Sequence, residues 1–266
     1  MATARVNGIE IYYEVIGHGH PLTMIMGLGC SARMWQWMVP LFAAYFKVVI
    51  FDNRGAGRSG KPEMEYTTDL FAEDTRALLR ALSIEKTYLF GVSVGGMIAQ
   101  KCALMCPEVI DKLVLGCTLP NFSYAPAEPE VIQGLMESAT LPLEESVGKL
   151  VPFFLSEKFI AERPDQVMLM KEVMVYDKRD QGPDSFMRQL GAAMSHDTQN
   201  EISTINLPTL VITGDADVMV PLENAHFLAD QIPKSKLVEL PEVNHGFFVE
   251  RCDEACEYIS NFLMSS

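Results

Sequence analysis

The sequence predicts an α/β fold: a mostly parallel central sheet flanked by helices on both faces. Three observations predict it. Short apolar runs alternate with helical stretches along most of the chain, the rhythm of β-α-β units. Several of those runs are apolar at consecutive positions, as strands covered on both faces are. The chain has 266 residues, enough to bury a large core within a single α/β domain.

The elements follow in order. Ile9 to Ile16 is β-branched and aromatic and ends at Gly17, which reads as a strand. Pro21 to Met26 and Lys47 to Phe51 are short apolar strands, each followed by a glycine-containing loop. Met34 to Tyr45, between them, carries helix-like apolar residues. Asp69 to Leu82 is a helix with Phe71, Leu78, Leu79 and Leu82 on one face and acids near its start. Lys86 to Phe90 is a strand, Gly96 to Cys106 a helix stopped by Pro107, and Asp111 to Gly116 a strand. From about Leu119 to Asn200 the text is helical, interrupted by prolines, and contains no convincing strand. The alternation resumes with strand Leu207 to Thr213, helix Leu222 to Gln231, strand Lys236 to Leu240 and a last helix from Phe247 to Phe262. We therefore expect a core of residues 1–118 and 201–266, and a helical lid of residues 119–200 inserted after the sixth strand. Ligands in open α/β sheets bind beyond the C-terminal ends of the strands, and the insertion is expected over that edge.

Composition narrows the function. Charged residues are 21% and hydrophobic ones 48%, ordinary globular values, and the formal net charge is -14. Such a charge repels phosphates, which argues against nucleic acid and anionic membrane surfaces as partners. No apolar run approaches the ~18 residues of a membrane span, and Met1 to Asn7 has no signal-like pattern, so a cytoplasmic location is expected. Six cysteines occur, with Cys102/Cys106 and Cys252/Cys256 each four apart. They read as buried free thiols rather than a disulfide framework or a metal site. No cofactor is implied. Gly55-Ala56-Gly57-Arg58-Ser59-Gly60 spells G-x-G-x-x-G, but Pro62 follows where a dinucleotide site needs a helix.

The chemistry concentrates at Gly91-Val92-Ser93-Val94-Gly95, a G-x-S-x-G pattern lying between a strand and a helix. A turn that tight needs small residues flanking the serine, and it forces the hydroxyl to the tip. A serine needs a base to become a nucleophile. Among His18, His20, His196, His226 and His245, only His245 stands in a loop that leaves a strand at the same sheet edge as Ser93. Asp215 and Asp217 both leave the preceding strand at that edge. Asp217 lies deeper in its loop and is assigned to orient His245; Asp215, beside Gly214, reads as a turn-stabilising residue.

The order Ser93, Asp217, His245, with a helical insertion between the first two, resembles the α/β-hydrolase superfamily, serine-nucleophile branch. Phe51-Asp52-Asn53-Arg54-Gly55-Ala56-Gly57-Arg58-Ser59, Gly214-Asp215-Ala216-Asp217 with Pro221, and Asn244-His245-Gly246 resemble its characteristic loops. Small carboxylesterases and enol-lactone hydrolases are the nearest in pattern. The resemblance implies an oxyanion hole made by the backbone N–H groups of Leu28 and Val94. Met26 stands where many relatives carry histidine. The implied substrate is a small, hydrophobic ester or lactone. Carbon–carbon or thioester hydrolysis, a cofactor-free lyase or oxygenase, and a non-catalytic ligand receptor are alternatives on the same fold. A haloalkane dehalogenase is disfavoured because it needs an acid where Ser93 stands. Phe122, Tyr124 and His196 are candidate substrate contacts. Met136, Met168, Met170, Met174, Met187 and Met194 could line an adaptable pocket.

Overall fold

The computed structural model describes residues 2–138 and 140–265. Its strands are β1 (Ala2–Val6), β2 (Ile9–Ile16), β3 (His20–Ile25), β4 (Phe46–Phe51), β5 (Thr87–Val92), β6 (Ile110–Gly116), β7 (Thr209–Gly214) and β8 (Ser235–Leu240). They form one 8-stranded sheet in the order β1-β2-β4-β3-β5-β6-β7-β8. β2 pairs antiparallel with β1 and β4; every other pairing is parallel. Strand order reverses at β3, which lies between β4 and β5. The chain leaves β3 and β5 in opposite directions there and opens a crevice at their C-terminal ends.

The sequence reading contains no strand before Ile9, and the structure adds β1. The signal for it is Asn7-Gly8, whose φ values of 44° and 81° make the tight turn that suits a right-twisted hairpin.

The helices are α1 (Val39–Phe42), α2 (Thr68–Ala81), α3 (Val94–Met105), α4 (Pro129–Ser138), α5 (Leu143–Phe154), α6 (Glu157–Glu162), α7 (Pro164–Gln181), α8 (Pro183–Met194), α9 (Leu222–Gln231), α10 (Phe247–Glu250) and α11 (Cys252–Met264). Two expected helices are divided. Met34 to Tyr45 is a 3-10 segment, Ala32–Trp37, followed by α1. Pro40 lacks an N–H and fits only the first turn of a new helix. The final helix breaks at Arg251, whose φ of -128° and ψ of 41° are not helical. Among the described residues, no helix is long and apolar enough to cross a membrane.

Strand periodicity sorts side chains onto two cores. Leu22, Met24, Phe90, Val114, Leu210 and Ile212 face one side of the sheet. Ile25, Leu89, Leu113, Leu115 and Val211 face the other. Both faces are covered, so successive residues are buried and the strand runs read as continuous apolar text. Thr23 and Thr87 interrupt that text, and the structure pairs their buried hydroxyls at 2.9 Å.

Between β6 and β7 the described residues contain α4 to α8 and no strand. The two ends of this insertion meet. The Thr198 N–H donates to Pro120 O at 3.0 Å, and Asn121 Nδ2 donates to Asp197 Oδ1 and Gln199 Oε1.

A buried ion pair ties the hairpin to the sheet. Arg54 Nε and Nη2 each donate to the Asp74 carboxylate at 2.7 Å. Arg54 also reaches Asn7 O, and Asn7 Nδ2 donates to Asp74 Oδ1. Both charged side chains are 2% exposed. Removing one partner leaves a buried charge uncompensated, which costs about 3–5 kcal/mol. Asp74→Ala is expected to lower the melting temperature by roughly 10 °C, measured by circular dichroism, and an unchanged melting temperature would contradict this account.

Candidate active site

The strand-turn-helix at Ser93 is held by close packing. Ser93 itself has φ 58° and ψ -123°, a conformation that costs a side-chain-bearing residue about 1–3 kcal/mol. Its backbone is bound on every side. The Ser93 N–H donates to Gly116 O at 2.9 Å. Ser93 O accepts from Gly96 N–H, Met97 N–H and Thr118 Oγ1. A methyl at Gly91 would stand 2.1 Å from Gly95 O, and one at Gly95 would stand 2.1 Å from Ile25 O. The expectation that the flanking residues must be small is explained by these contacts. Ser93 is left partly exposed at the tip.

His245 and Asp217 meet across the β7–β8 edge. His245 Nδ1 lies 2.8 Å from Asp217 Oδ2, and both side chains are buried. The other Asp217 oxygen accepts the Met219 and Val220 N–H groups, each at 2.9 Å. Asn244 Oδ1 accepts from the His245 and Val218 N–H groups, which joins the two loops. Asp215 makes a different contact: its Oδ1 accepts the Glu242 N–H at 2.7 Å. The choice between the two aspartates therefore rests on direction. Asp217 faces the imidazole, and Asp215 closes the neighbouring turn.

Burial opposes a charge on the His245 ring, but the adjacent Asp217 carboxylate outweighs it and raises the pKa well above the usual histidine value. Burial pushes the Cys117 thiol up as well, so at neutral pH the sulfur offers a weak hydrogen bond and no charge. The histidine–aspartate pair stabilises the fold fully below the unfolded histidine pKa of about 6.5. That contribution is lost as pH rises through the folded value.

No hydrogen bond joins the Ser93 hydroxyl to His245 among the described residues. The group beside Nε2 is the Cys117 thiol, 3.9 Å away. Cys117 follows Gly116, whose carbonyl holds the Ser93 amide, so serine and imidazole flank the same strand end with sulfur beside them. The sequence reading filed Cys117 among buried thiols. Its place one residue past β6, at the edge where the other site loops emerge, is the signal that could have found it. Cys117, Asp217 and His245 could offer ligand atoms within 4.8 Å of one another. Asp217, however, is engaged with Nδ1, on the far side of the ring from the sulfur.

The Leu28 loop passes directly beside the serine: a methyl built on Gly27 would lie 3.1 Å from Ser93 Cβ and 3.5 Å from Oγ. Among the described residues, neither the Leu28 N–H nor the Val94 N–H has a protein acceptor. Phe154 presents its ring edge-on to His245, with centroids 5.6 Å apart, and its carbonyl accepts the Gly246 N–H.

The remaining candidates divide. Phe122 is partly buried against the core on the α3 side of the sheet. Tyr124 is exposed and stacks on Phe227 of α9 at 4.3 Å. His196 is buried, with Nδ1 3.0 Å from Thr68 Oγ1 at the start of α2, and burial lowers its pKa to about 3. The methionine pocket is not formed as expected. Met136, Met168, Met187 and Met194 are exposed, and only Met170 and Met174 of that set turn inward. These four methionines lie on solvent-exposed faces of α4, α7 and α8. The G-x-G-x-x-G loop is structural: the Asp52 carboxylate accepts the Ala32 and Arg58 N–H groups and the Arg58 guanidinium inside it. The cysteines are free thiols, with Cys30 and Cys252 partly exposed and the others buried.

Comparison with known proteins agrees with this architecture. The family model for the alpha/beta hydrolase fold matches residues 20–251. The chain belongs to the α/β-hydrolase family. It is 29% identical over 247 residues to the "Putative carbamate hydrolase RutD" of Serratia proteamaculans, covering 90% of each chain. It is 26% identical to 3-oxoadipate enol-lactonase 2 of Acinetobacter baylyi, covering 94% of this chain and 91% of that one. Among solved structures, the enol-lactonase from Burkholderia xenovorans LB400 superposes with a TM-score of 0.88 at 24% identity, covering 99% of this chain and 100% of that one. Its fold is shared.

The pairing of Asp217 with the ring is open to direct measurement. In a histidine NMR titration, Asp217→Asn is expected to lower the His245 pKa, because the carboxylate is what favours the charged ring. Asp215→Asn should leave that pKa where it is. A pKa that moves only in the Asp215 variant would reverse the assignment.

Proposed function

We propose that this member of the α/β-hydrolase family is a serine hydrolase that cleaves a small carboxylic ester or lactone through an acyl-enzyme. One observation carries the reading. A serine held at φ 58° after β5 and an imidazole after β8 bonded to a buried aspartate at 2.8 Å leave the same edge of the sheet, where two backbone N–H groups have no protein acceptor among the described residues.

In the proposed reaction Ser93 Oγ attacks the carbonyl carbon while His245 Nε2 takes its proton. Catalytic hydrogen bonds are often loose without substrate and tighten when it binds. The reaction therefore needs the hydroxyl to turn from its resting orientation towards Nε2. Asp217 fixes the ring through Nδ1, leaving Nε2 free to act as base, and it stabilises the imidazolium that forms. The N–H groups of Leu28 and Val94 receive the oxyanion; one such donor is worth about 3 kcal/mol in the transition state. His245 then gives its proton to the leaving alcohol, and water attacks the acyl-serine by the same relay.

The surroundings favour an apolar acyl group: Leu28, Phe154 and Phe186 are partly buried near the serine, the imidazole and Gly29 respectively. In this reading the insertion serves as the cap over the sheet edge. The enol-lactonase relative supports the lactone part of the proposal.

Ser93→Ala is expected to abolish turnover of p-nitrophenyl esters and labelling by a fluorophosphonate while the melting temperature stays near wild type. Turnover in the wild type should rise with pH through the His245 pKa, since only the neutral ring is a base. Full esterase activity in Ser93→Ala, or a wild-type protein that neither labels nor turns over any ester or lactone, would contradict the proposal.

A further inference from the structure

The Leu28 loop is not held by the sheet alone. Its backbone just C-terminal to Leu28 is bound by the insertion, while on the N-terminal side Met26 O accepts from Asn53 Nδ2 of the core. The Gly29 N–H donates to Gln189 Oε1 of α8 at 3.1 Å. The Ser31 N–H and Oγ donate to the two oxygens of Asp177 of α7, at 2.8 and 2.6 Å. The Cys30 N–H turns back to Gly27 O. Among the described residues the Leu28 N–H, immediately before these anchored amides, has no protein partner.

The anchors are themselves fixed. Gln189 Oε1 also accepts from Gln181 Nε2 at 2.8 Å, and Gln189 Nε2 donates to Arg54 O at 2.7 Å. Asp177, Gln181 and Gln189 are all buried. Gly29 has φ 71°, and a methyl there would meet the Phe186 ring at 3.1 Å and Gln181 Oε1 at 3.3 Å. A buried carboxylate that binds Ser31 with both oxygens, one of them also accepting from Arg33 Nη1 at 3.3 Å, is a costly arrangement, since burial raises the Asp177 pKa. In return it fixes that loop's backbone.

We propose that Gln189 and Asp177 are positioning residues that aim the Leu28 N–H, making the insertion a part of the catalytic apparatus as well as a cover. This rests on the serine-hydrolase reading above. Neither side chain touches the reacting atoms; each acts through a backbone amide of the loop. Moving the insertion off the sheet would remove the partners of residues 29 and 31 together. The oxyanion hole would then exist only while the insertion is seated.

The test separates aiming from covering. Gln189→Ala and Asp177→Asn are compared with Ser185→Ala. Ser185 Oγ ties the same helix α8 to Gly55 O at 2.8 Å and, among the described residues, makes no hydrogen bond to the Leu28 loop. The probe is p-nitrophenyl acetate, whose acyl group is only acetyl and offers the insertion little apolar surface to cover. Gln189→Ala and Asp177→Asn should each lower kcat by about 10–100-fold with little change in KM, as loss of an aligned donor does. Ser185→Ala should leave both constants near wild type. Circular dichroism melts identify any variant that fails to fold, and either loop-binding variant alone suffices. Wild-type kcat in a folded Gln189→Ala or Asp177→Asn protein overturns the proposal, as does an equal loss in Ser185→Ala. A wild-type protein without Ser93-dependent turnover overturns the underlying reading instead.

Discussion

The strained backbone at Ser93 is the constraint on which the rest of the site depends. A residue with a side chain does not hold φ 58° and ψ -123° unless its neighbours leave no alternative. Here they leave none. β6 takes its amide, α3 and Thr118 take its carbonyl, and β3 presses against Gly95. The strain is therefore carried by the parallel sheet. Its result is a hydroxyl pushed clear of the strand, beside the N-terminus of α3, where the Val94 amide has no protein acceptor among the described residues.

Three other strand ends converge on that point. β3 delivers the Leu28 loop, β7 delivers Asp217 and β8 delivers His245. Strand order explains why this can happen. Reversal at β3 opens the crevice between β3 and β5, and the parallel run from β5 to β8 lines up the remaining loops on the same edge. The loops then fasten to one another: Asn244 binds both the Asp217 and His245 loops, and Phe154 O and Pro152 O bind the histidine loop from the insertion. The polar groups that shape the site are mostly satisfied by backbone amides, which do not relax as side chains do.

The insertion has a double character. Its outer faces carry exposed methionines, and its inner face carries buried polar groups aimed at core loops. Buried Gln and Asp residues are expensive unless every polar atom is paired. The pairing of Asp177 with Ser31, and of Gln189 with Gly29 and Arg54, turns that cost into a defined seating for the insertion on the sheet.

Much of this was legible in the chain. Alternating periodicity set the order of strands and helices, because buried parallel strands and amphipathic helices leave different apolar spacings. Gly91, Ser93 and Gly95 between a strand and a helix marked the elbow, because no larger flanking residue fits so close to Ile25. Asn244-His245-Gly246 and Asp217 stand out in the sequence because each follows a strand whose end lies on one edge of the sheet, and the structure brings His245 and Asp217 together. The hairpin partner Ala2–Val6 was missed, although Asn7-Gly8 announced it, since its strand is short and polar. Other features were decided only in three dimensions. Nothing local distinguishes Cys117 from other buried thiols, or Gln189 and Asp177 from other polar residues of amphipathic helices. Their meaning comes from a partner more than a hundred residues away: His245 for one, the Leu28 loop for the others. Local spacing reports which face a residue takes, because side-chain direction repeats with the backbone. It does not report which distant atom waits there, because that depends on how the finished elements pack.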